Sequence, residues 1–237
     1  SRGLGKACAM SLAKEGVHVF INGRKKEALE ATAEQIQAQG GNVSLVQADI
    51  STTNGRQRLL DACPDPDILI NNNGGPNPVD FVKSSQKDWD AAISANMMAP
   101  IFMIQAVLPG MRERKFGRII NITSGAPLNC SPGGFLYSGS KAALNVLTLT
   151  TSNECKKFNI KANLFSPGQI KTEMMPKAKG NPFKSVKFIK ILLSKKKNLF
   201  SGKFIWRNYN LPLDSNLKNV NWSKGRAPIR FKLKNYD

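Results

Sequence analysis

Apolar and polar positions alternate along the chain in two periods. Windows with apolar residues three and four apart predict helices near 5–15, 25–39, 52–62, 84–114, 137–157 and 183–196. Short runs such as Ile68-Leu69-Ile70, Gly117-Arg118-Ile119-Ile120-Asn121-Ile122 and Ile160-Lys161-Ala162-Asn163-Leu164-Phe165 predict buried strands near 17–22, 43–48, 67–71, 117–123, 160–165 and 202–207. Helices and strands taking turns in this way imply an α/β fold, a doubly wound parallel sheet of Rossmann type with helices on both faces. Ligands of such folds sit at the carboxyl ends of the strands.

Polar residues gather at those ends. Asn71-Asn72-Asn73-Gly74-Gly75 follows one strand, Thr123-Ser124 another, and Pro167-Gly168 with Thr172 a third. Asn96 interrupts the long apolar helix. Tyr137 and Lys141 are four residues apart, on one face of a helix. A phenol with a reference pKa of about 10 is a poor acid or base at neutral pH, and an ammonium one turn away would stabilise its anion. At the start of the chain, Ser1-Arg2-Gly3-Leu4-Gly5 leads into an Ala-rich helix, where backbone N–H groups can hold a phosphate.

With these residues in order, the chain resembles the short-chain dehydrogenase/reductase family from Ser1 to about Met175, and within it most resembles 3-oxoacyl-[acyl-carrier-protein] reductases. The resemblance implies a catalytic set of Asn96, Ser124, Tyr137 and Lys141. It implies cofactor contacts at Ser1, Arg2, Gly3, Leu4, Gly5, Arg24, Asp49, Ile50, Asn72, Asn73, Gly74, Tyr137, Lys141, Pro167, Gly168, Ile170 and Thr172, and no metal. Asn73 stands where the family has Ala. The family's first strand and first phosphate-turn glycine would precede Ser1, so an N-terminally truncated chain lacking that strand is expected. After Thr172 the substrate loop is short and the family's closing Gly-Gly pair is absent.

Cofactor preference follows from charge. An NAD enzyme of this fold places Asp or Glu at the end of the second strand, whereas a 2′-phosphate needs cations. Here Asn22-Gly23-Arg24-Lys25-Lys26, with Arg2, offers only cations, which favours NADP(H) over NAD(H). The implied reaction is hydride transfer between nicotinamide and a carbonyl or secondary alcohol of a small molecule, a 3-oxoacyl thioester on acyl carrier protein being one candidate. The alternative is a catalytically silent nucleotide-binding or nucleic-acid-associated protein on the same fold, or an inactive fragment. The complete Asn-Ser-Tyr-Lys set argues against it, since a binding module needs no proton relay.

Net charge is +19, from 35 Lys and Arg against 16 Asp and Glu. Residues 1–150 carry 15 cations and 12 anions, and residues 151–237 carry 20 and 4, so the excess is C-terminal. Trp206, Tyr209, Trp222, Phe231 and Tyr236 interleave with these cations as base-stacking groups do, although a solvated basic surface is the expected reading and nucleic acid is disfavoured. We expect a single nucleotide-binding domain over 1–208 and a basic tail or extension over 209–237. Cys8, Cys63, Cys130 and Cys155 show no metal spacing and suit reduced thiols in the cytoplasm. His18, the only histidine, is expected in the core. The apolar stretch from Met97 to Met111 reads as too short for a membrane span. The resemblance implies a homodimer or homotetramer paired through helices 84–114 and 137–157, where Ile101, Phe102, Ile104, Val146 and Leu149 face either a partner or the sheet.

Overall fold

A computed structural model describes residues 1–75, 78–173, 175–194, 200–207, 209–211 and 231–232. They fall into two compact units, one of residues 1–66 with 169–190 and one of residues 67–168 with 191–237.

The first unit begins with helix α1 (Gly3–Ala13), followed by strand β1 (Val19–Gly23), α2 (Lys26–Gln37), β2 (Val43–Gln47) and α3 (Thr53–Ala62). β1 and β2 pair in parallel, Val19 beside Val43 and Gly23 beside Gln47. Among the described residues no further strand joins this pair. Leu12, Ile21, Leu29, Ala33, Ile36 and Val46 are buried, the apolar stripes that the helical and strand periods predict. His18 departs from expectation. It is exposed, with Nε2 3.0 Å from Ser44 Oγ, because the strand starts one residue later and its inward positions are Val19 and Ile21.

The second unit carries β3 (Ile68–Asn71), α4 (Gln86–Ile93), α5 (Ala99–Glu113), β4 (Gly117–Ile122), the short α6 (Ala126–Asn129), α7 (Phe135–Glu154), β5 (Ile160–Ser166) and β6 (Phe204–Trp206). α8 (Pro182–Leu193) begins in the first unit. Strands β3, β4, β5 and β6 are parallel and in that order, with Asn71 beside Asn121, Ile122 beside Phe165 and Ser166 beside Trp206. Their carboxyl ends therefore align. β4 is buried along its whole length and β5 along nearly all of it, as strands covered on both faces must be.

Residues 209–211 and 231–232 form two antiparallel strands, β7 (Tyr209–Leu211) and β8 (Phe231–Lys232), added beyond β6. Within the expected extension these short pieces thus belong to the sheet, and Trp222 and Tyr236 lie outside the described residues. Trp206 packs beside Leu164, Phe204 and Leu128, a core role rather than a stacking platform. Counted through the turn joining α4 and α5, the helix 86–113 runs 28 residues and reaches a mean hydropathy of 1.6 in its most apolar window. That meets the length and composition of a membrane span, contrary to the expectation from Met97–Met111, although its inner face, including Ala99, Met103, Val107 and Met111, is buried within the protein.

Candidate active site

Three consecutive residues at the end of β4 each bond to a turn of α7, and the next, Ser124, lies near enough to the Tyr137 hydroxyl to pull its pKa down. Lys141 Nζ donates to the Ile122 carbonyl at 2.8 Å, Thr123 Oγ1 donates to Asn145 Oδ1 at 2.6 Å, and Asn121 Nδ2 donates to Thr148 Oγ1 at 2.7 Å. Asn71 on β3 extends the chain, donating from Nδ2 to Asn121 Oδ1 at 2.8 Å. A helix repeats every 3.6 residues, so positions 137, 141, 145 and 148 form one stripe, and that stripe is stitched polar atom to polar atom onto the strand end. Each of these groups is buried or half-buried and matched, which fixes α7 in one register.

Lys141 is 1 % exposed. Besides the Ile122 carbonyl it donates to the Asn73 carbonyl at 2.8 Å, so two of its three N–H groups are engaged by backbone. No carboxylate offsets its burial, and desolvation pushes it down to about 7. Burial pushes the Tyr137 hydroxyl above the ordinary phenol range, with the Ser124 hydrogen bond pulling the other way. The anticipated lowering of Tyr137 by Lys141 is not what the geometry gives: Nζ stands 5.9 Å from the phenol ring centroid and spends its bonds on carbonyls. Tyr137 is thus held as a protonated acid.

Asn96 lies in a π-helical turn, Ser94–Met98, between α4 and α5. Such turns admit one extra residue per turn and turn a side chain out of the regular sequence of faces. Its Nδ2 donates to the Gly75 carbonyl and, at 3.1 Å, to Ser140 Oγ. Its Oδ1 is buried with no hydrogen-bond partner among the described residues. An unpaired buried acceptor costs about 1–3 kcal/mol, so one beside the Tyr137 helix suits a ligand or water. Asn72 and Gly74 are exposed, and Gly168, at φ +72°, sits where a Cβ would meet Arg207 Nε at 2.4 Å.

The glycine turn belongs to the first unit. Gly3 opens α1 with φ +50°, and a Cβ there would lie 2.9 Å from Thr172 Cγ2. The N–H groups of the first turn have no acceptor within the helix, the usual cradle for a phosphate. Leu4 and Ile170 are core side chains, which leaves only their backbone for a cofactor, and Ile170 is bridged to Gly180. Asp49 Oδ1 accepts from Ser51 N and Oγ at 3.0 and 2.7 Å, and chiefly the Ser51 hydroxyl lowers its pKa. The cation set is less free than its sequence implies. Arg2 pairs with Glu173, Lys26 with Glu30 at 3.6 Å, and Arg24 lies 3.9 Å from Asp49.

Residues 1–182 match the short chain dehydrogenase family. The chain belongs to that family. Short-chain dehydrogenases are oxidoreductases that act on carbonyl and CH–OH groups with nicotinamide cofactors. This short-chain dehydrogenase is similar to a 3-oxoacyl-[acyl-carrier-protein] reductase of Synechocystis, 33 % identical over 77 % of the chain and 76 % of the relative. It is 32 % identical to human dehydrogenase/reductase SDR family member 4 over 72 % of the chain, which spans 63 % of that relative's length. Among solved structures it is similar to acetoin dehydrogenase from Salmonella typhimurium, 25 % identical with a TM-score of 0.79 over 86 % of this chain and 90 % of the other. It shares its fold with the L-sorbose reductase from Gluconobacter frateurii, at a TM-score of 0.81 and 24 % identity over 86 % and 90 %.

The family motifs are legible in sequence, whereas Asn121, Thr123, Ser140, Asn145 and Thr148 do not stand out there as functional. Their signal is an Asn inside an otherwise apolar strand, and polar residues at helical spacing along α7.

Proposed function

We propose that the protein reduces a carbonyl compound with NADPH, with Asn96, Ser124, Tyr137 and Lys141 as its working residues and a 3-oxoacyl thioester as the substrate class. The observation that carries this reading is the buried Lys141 at the end of β4, which donates to the Ile122 and Asn73 carbonyls on a helix whose register the Thr123–Asn145 and Asn121–Thr148 bonds lock, with Tyr137 one turn before it. Reduced nicotinamide supplies the hydride. Ser124 holds the carbonyl oxygen in line with the phenol, and Tyr137 delivers its proton to that oxygen as the hydride reaches the carbon. The third N–H of Lys141 and the unpartnered Asn96 Oδ1 fit a cofactor ribose and a water that returns the proton. In the first unit, Ser1 to Gly5 would take the phosphates, Arg24 and Lys25 a 2′-phosphate, and Asp49 with Ile50 the adenine side. Asn72, Asn73, Gly74, Pro167, Gly168, Ile170 and Thr172 complete the cofactor contacts that the family likeness suggests.

We assign the enzyme to the cytoplasm, working as a homo-oligomer through α5 and α7. Phe102, Val146 and Leu147 are at least 36 % exposed there and suit a second copy, whereas Ile104 is buried. Its similarity to 3-oxoacyl-[acyl-carrier-protein] reductases supports a substrate delivered on a carrier protein.

The test is oxidation of NADPH and of NADH with a panel of simple ketones and acetoacetyl thioesters. Turnover with a thioester, faster with NADPH, is expected; cofactor binding without turnover on any carbonyl would overturn the reading. The pH dependence adds a second check. Tyr137, raised by burial, stays protonated across the neutral range, whereas Lys141 loses its charge as pH rises through about 7. Reduction should therefore show a kcat/KM that falls about tenfold per pH unit above that point. A profile flat to pH 9 would contradict it. The same Lys141 shift makes the unfolded chain the better proton binder between about 7 and 10.5, so this group's contribution to stability rises with pH across that window.

A further inference from the structure

We propose that the surface carrying Lys171, Lys177, Lys179, Lys184 and Lys187 docks on an anionic lipid bilayer. The reading is independent of the catalytic one. Lys171, Lys177, Lys179, Lys184 and Lys187 are all exposed, and none has an ion pair among the described residues. Glu173, within the segment, is taken by Arg2, and Glu15 by Lys190.

The backbone gathers these cations. Lys171 N donates to the Gly180 carbonyl at 2.7 Å, and Ile170 and Gly180 form a parallel bridge, which brings the backbone of Lys171 against the stretch that carries Lys179. Thr172 and Met175 form an antiparallel bridge. On α8, Val186 and Ile189 are fully buried, so the opposite face carries Phe183, Lys184 and Lys187, three and four residues apart. Phe183 is 48 % exposed and Met175 40 % exposed. Two exposed apolar side chains and five lysines without an ion pair among the described residues, Lys187 resting over the Phe188 ring, thus lie on the surface of one unit.

Composition decides between a bilayer and an acidic protein. Protein interfaces are enriched in Arg and depleted in Lys, because Arg's planar fork matches individual carboxylates. Apart from Arg2, which is paired with Glu173, the cations on this surface are Lys, a hydrated point charge suited to the diffuse negative potential of a lipid headgroup layer, with an aromatic residue to enter the acyl boundary.

Co-sedimentation of the full chain with phosphatidylcholine vesicles, and with vesicles containing about one third phosphatidylserine, tests this directly. Binding only to the anionic vesicles, lost at 1 M salt, is expected. Lys184→Gln with Lys187→Gln should weaken it about 25-fold, at about fivefold per lysine near a charged surface. Phe183→Ser should weaken it further while leaving the salt dependence in place. Equal sedimentation with neutral vesicles, no sedimentation with anionic ones, or capture by soluble polyglutamate with no vesicle binding would each overturn the proposal. If the double variant does not fold, the lipid and salt dependence of the unaltered chain decides. Because vesicle binding is read without cofactor or substrate, its failure and a failure of the reductase reading are separate results.

Discussion

Tyr137→Phe should lower kcat for carbonyl reduction about a thousandfold while leaving NADPH affinity and the fold in place. The magnitude follows from the role. A positioned acid contributes about 10²–10⁴-fold, and a thousandfold loss corresponds to about 4 kcal/mol of transition-state stabilisation. Phe fills the same volume, so the burial of residue 137 and the packing of α7 on β4 survive. What is lost besides the acid is the polar contact of the phenol with Ser124. The bonds from Lys141, Asn145 and Thr148 to the strand end do not pass through the phenol and still hold the helix in register. Single-turnover rates and cofactor titration by fluorescence separate the two effects. A variant that keeps more than a tenth of the unaltered turnover would show that the proton comes from elsewhere. One that loses cofactor binding as well would place Tyr137 in a binding role instead.

That the residues proposed to react can be read from the sequence, and their supports cannot, has a physical cause. Tyr137, Lys141 and Ser124 stand in short motifs with fixed spacing, and a helix face or a strand end is a local property. Thr123 and Asn145 are 22 residues apart, and Asn71 and Asn121 are 50 apart. Their pairing depends on which strand lies beside which, a consequence of the order β3-β4-β5-β6 rather than of any local pattern. The π-turn at Asn96 is intermediate. A polar residue inside an apolar helix is visible in the sequence, but the widened turn that frees its Oδ1 exists only once α4 and α5 meet. Charge misleads in the other direction. Arg2 reads as a free cation for a phosphate until the fold brings Glu173, 171 residues away, against it. His18 reads as core because its neighbours are apolar, yet the strand starts at Val19 and turns it outward. Lys141 reads as a charge that lowers the Tyr137 pKa until burial removes the water that keeps it charged.

Gly55→Ala should destabilise the protein by about 3 kcal/mol or more, against the usual sign of that substitution. In an open helix position Ala is favoured over Gly by about 1 kcal/mol. Gly55 is buried in the first turn of α3, where its N–H donates to Thr52 Oγ1 at 3.0 Å. A Cβ there would fall 1.9 Å from the Asp49 carbonyl oxygen and 2.5 Å from its carbon. Those atoms are backbone and cannot rotate aside. The Asp49 carbonyl itself accepts from Thr52 N at 3.1 Å and Thr52 Oγ1 at 2.8 Å, so any retreat pulls apart the bonds that start the helix. It also shifts the Asp49 carboxylate away from Ser51, and with it the side proposed to meet the adenine. For a chain of this length the loss lowers Tm by about 6–12 °C. Gly139→Ala is the internal comparison. Gly139 lies within α7, exposed, and a Cβ there would have nothing within 4 Å, so the same exchange should leave Tm unchanged or raise it by a few degrees. Opposite signs for the two variants, read by thermal unfolding, are the expected result. Equal behaviour would mean that the Asp49 turn is not held against α3 as the structure has it.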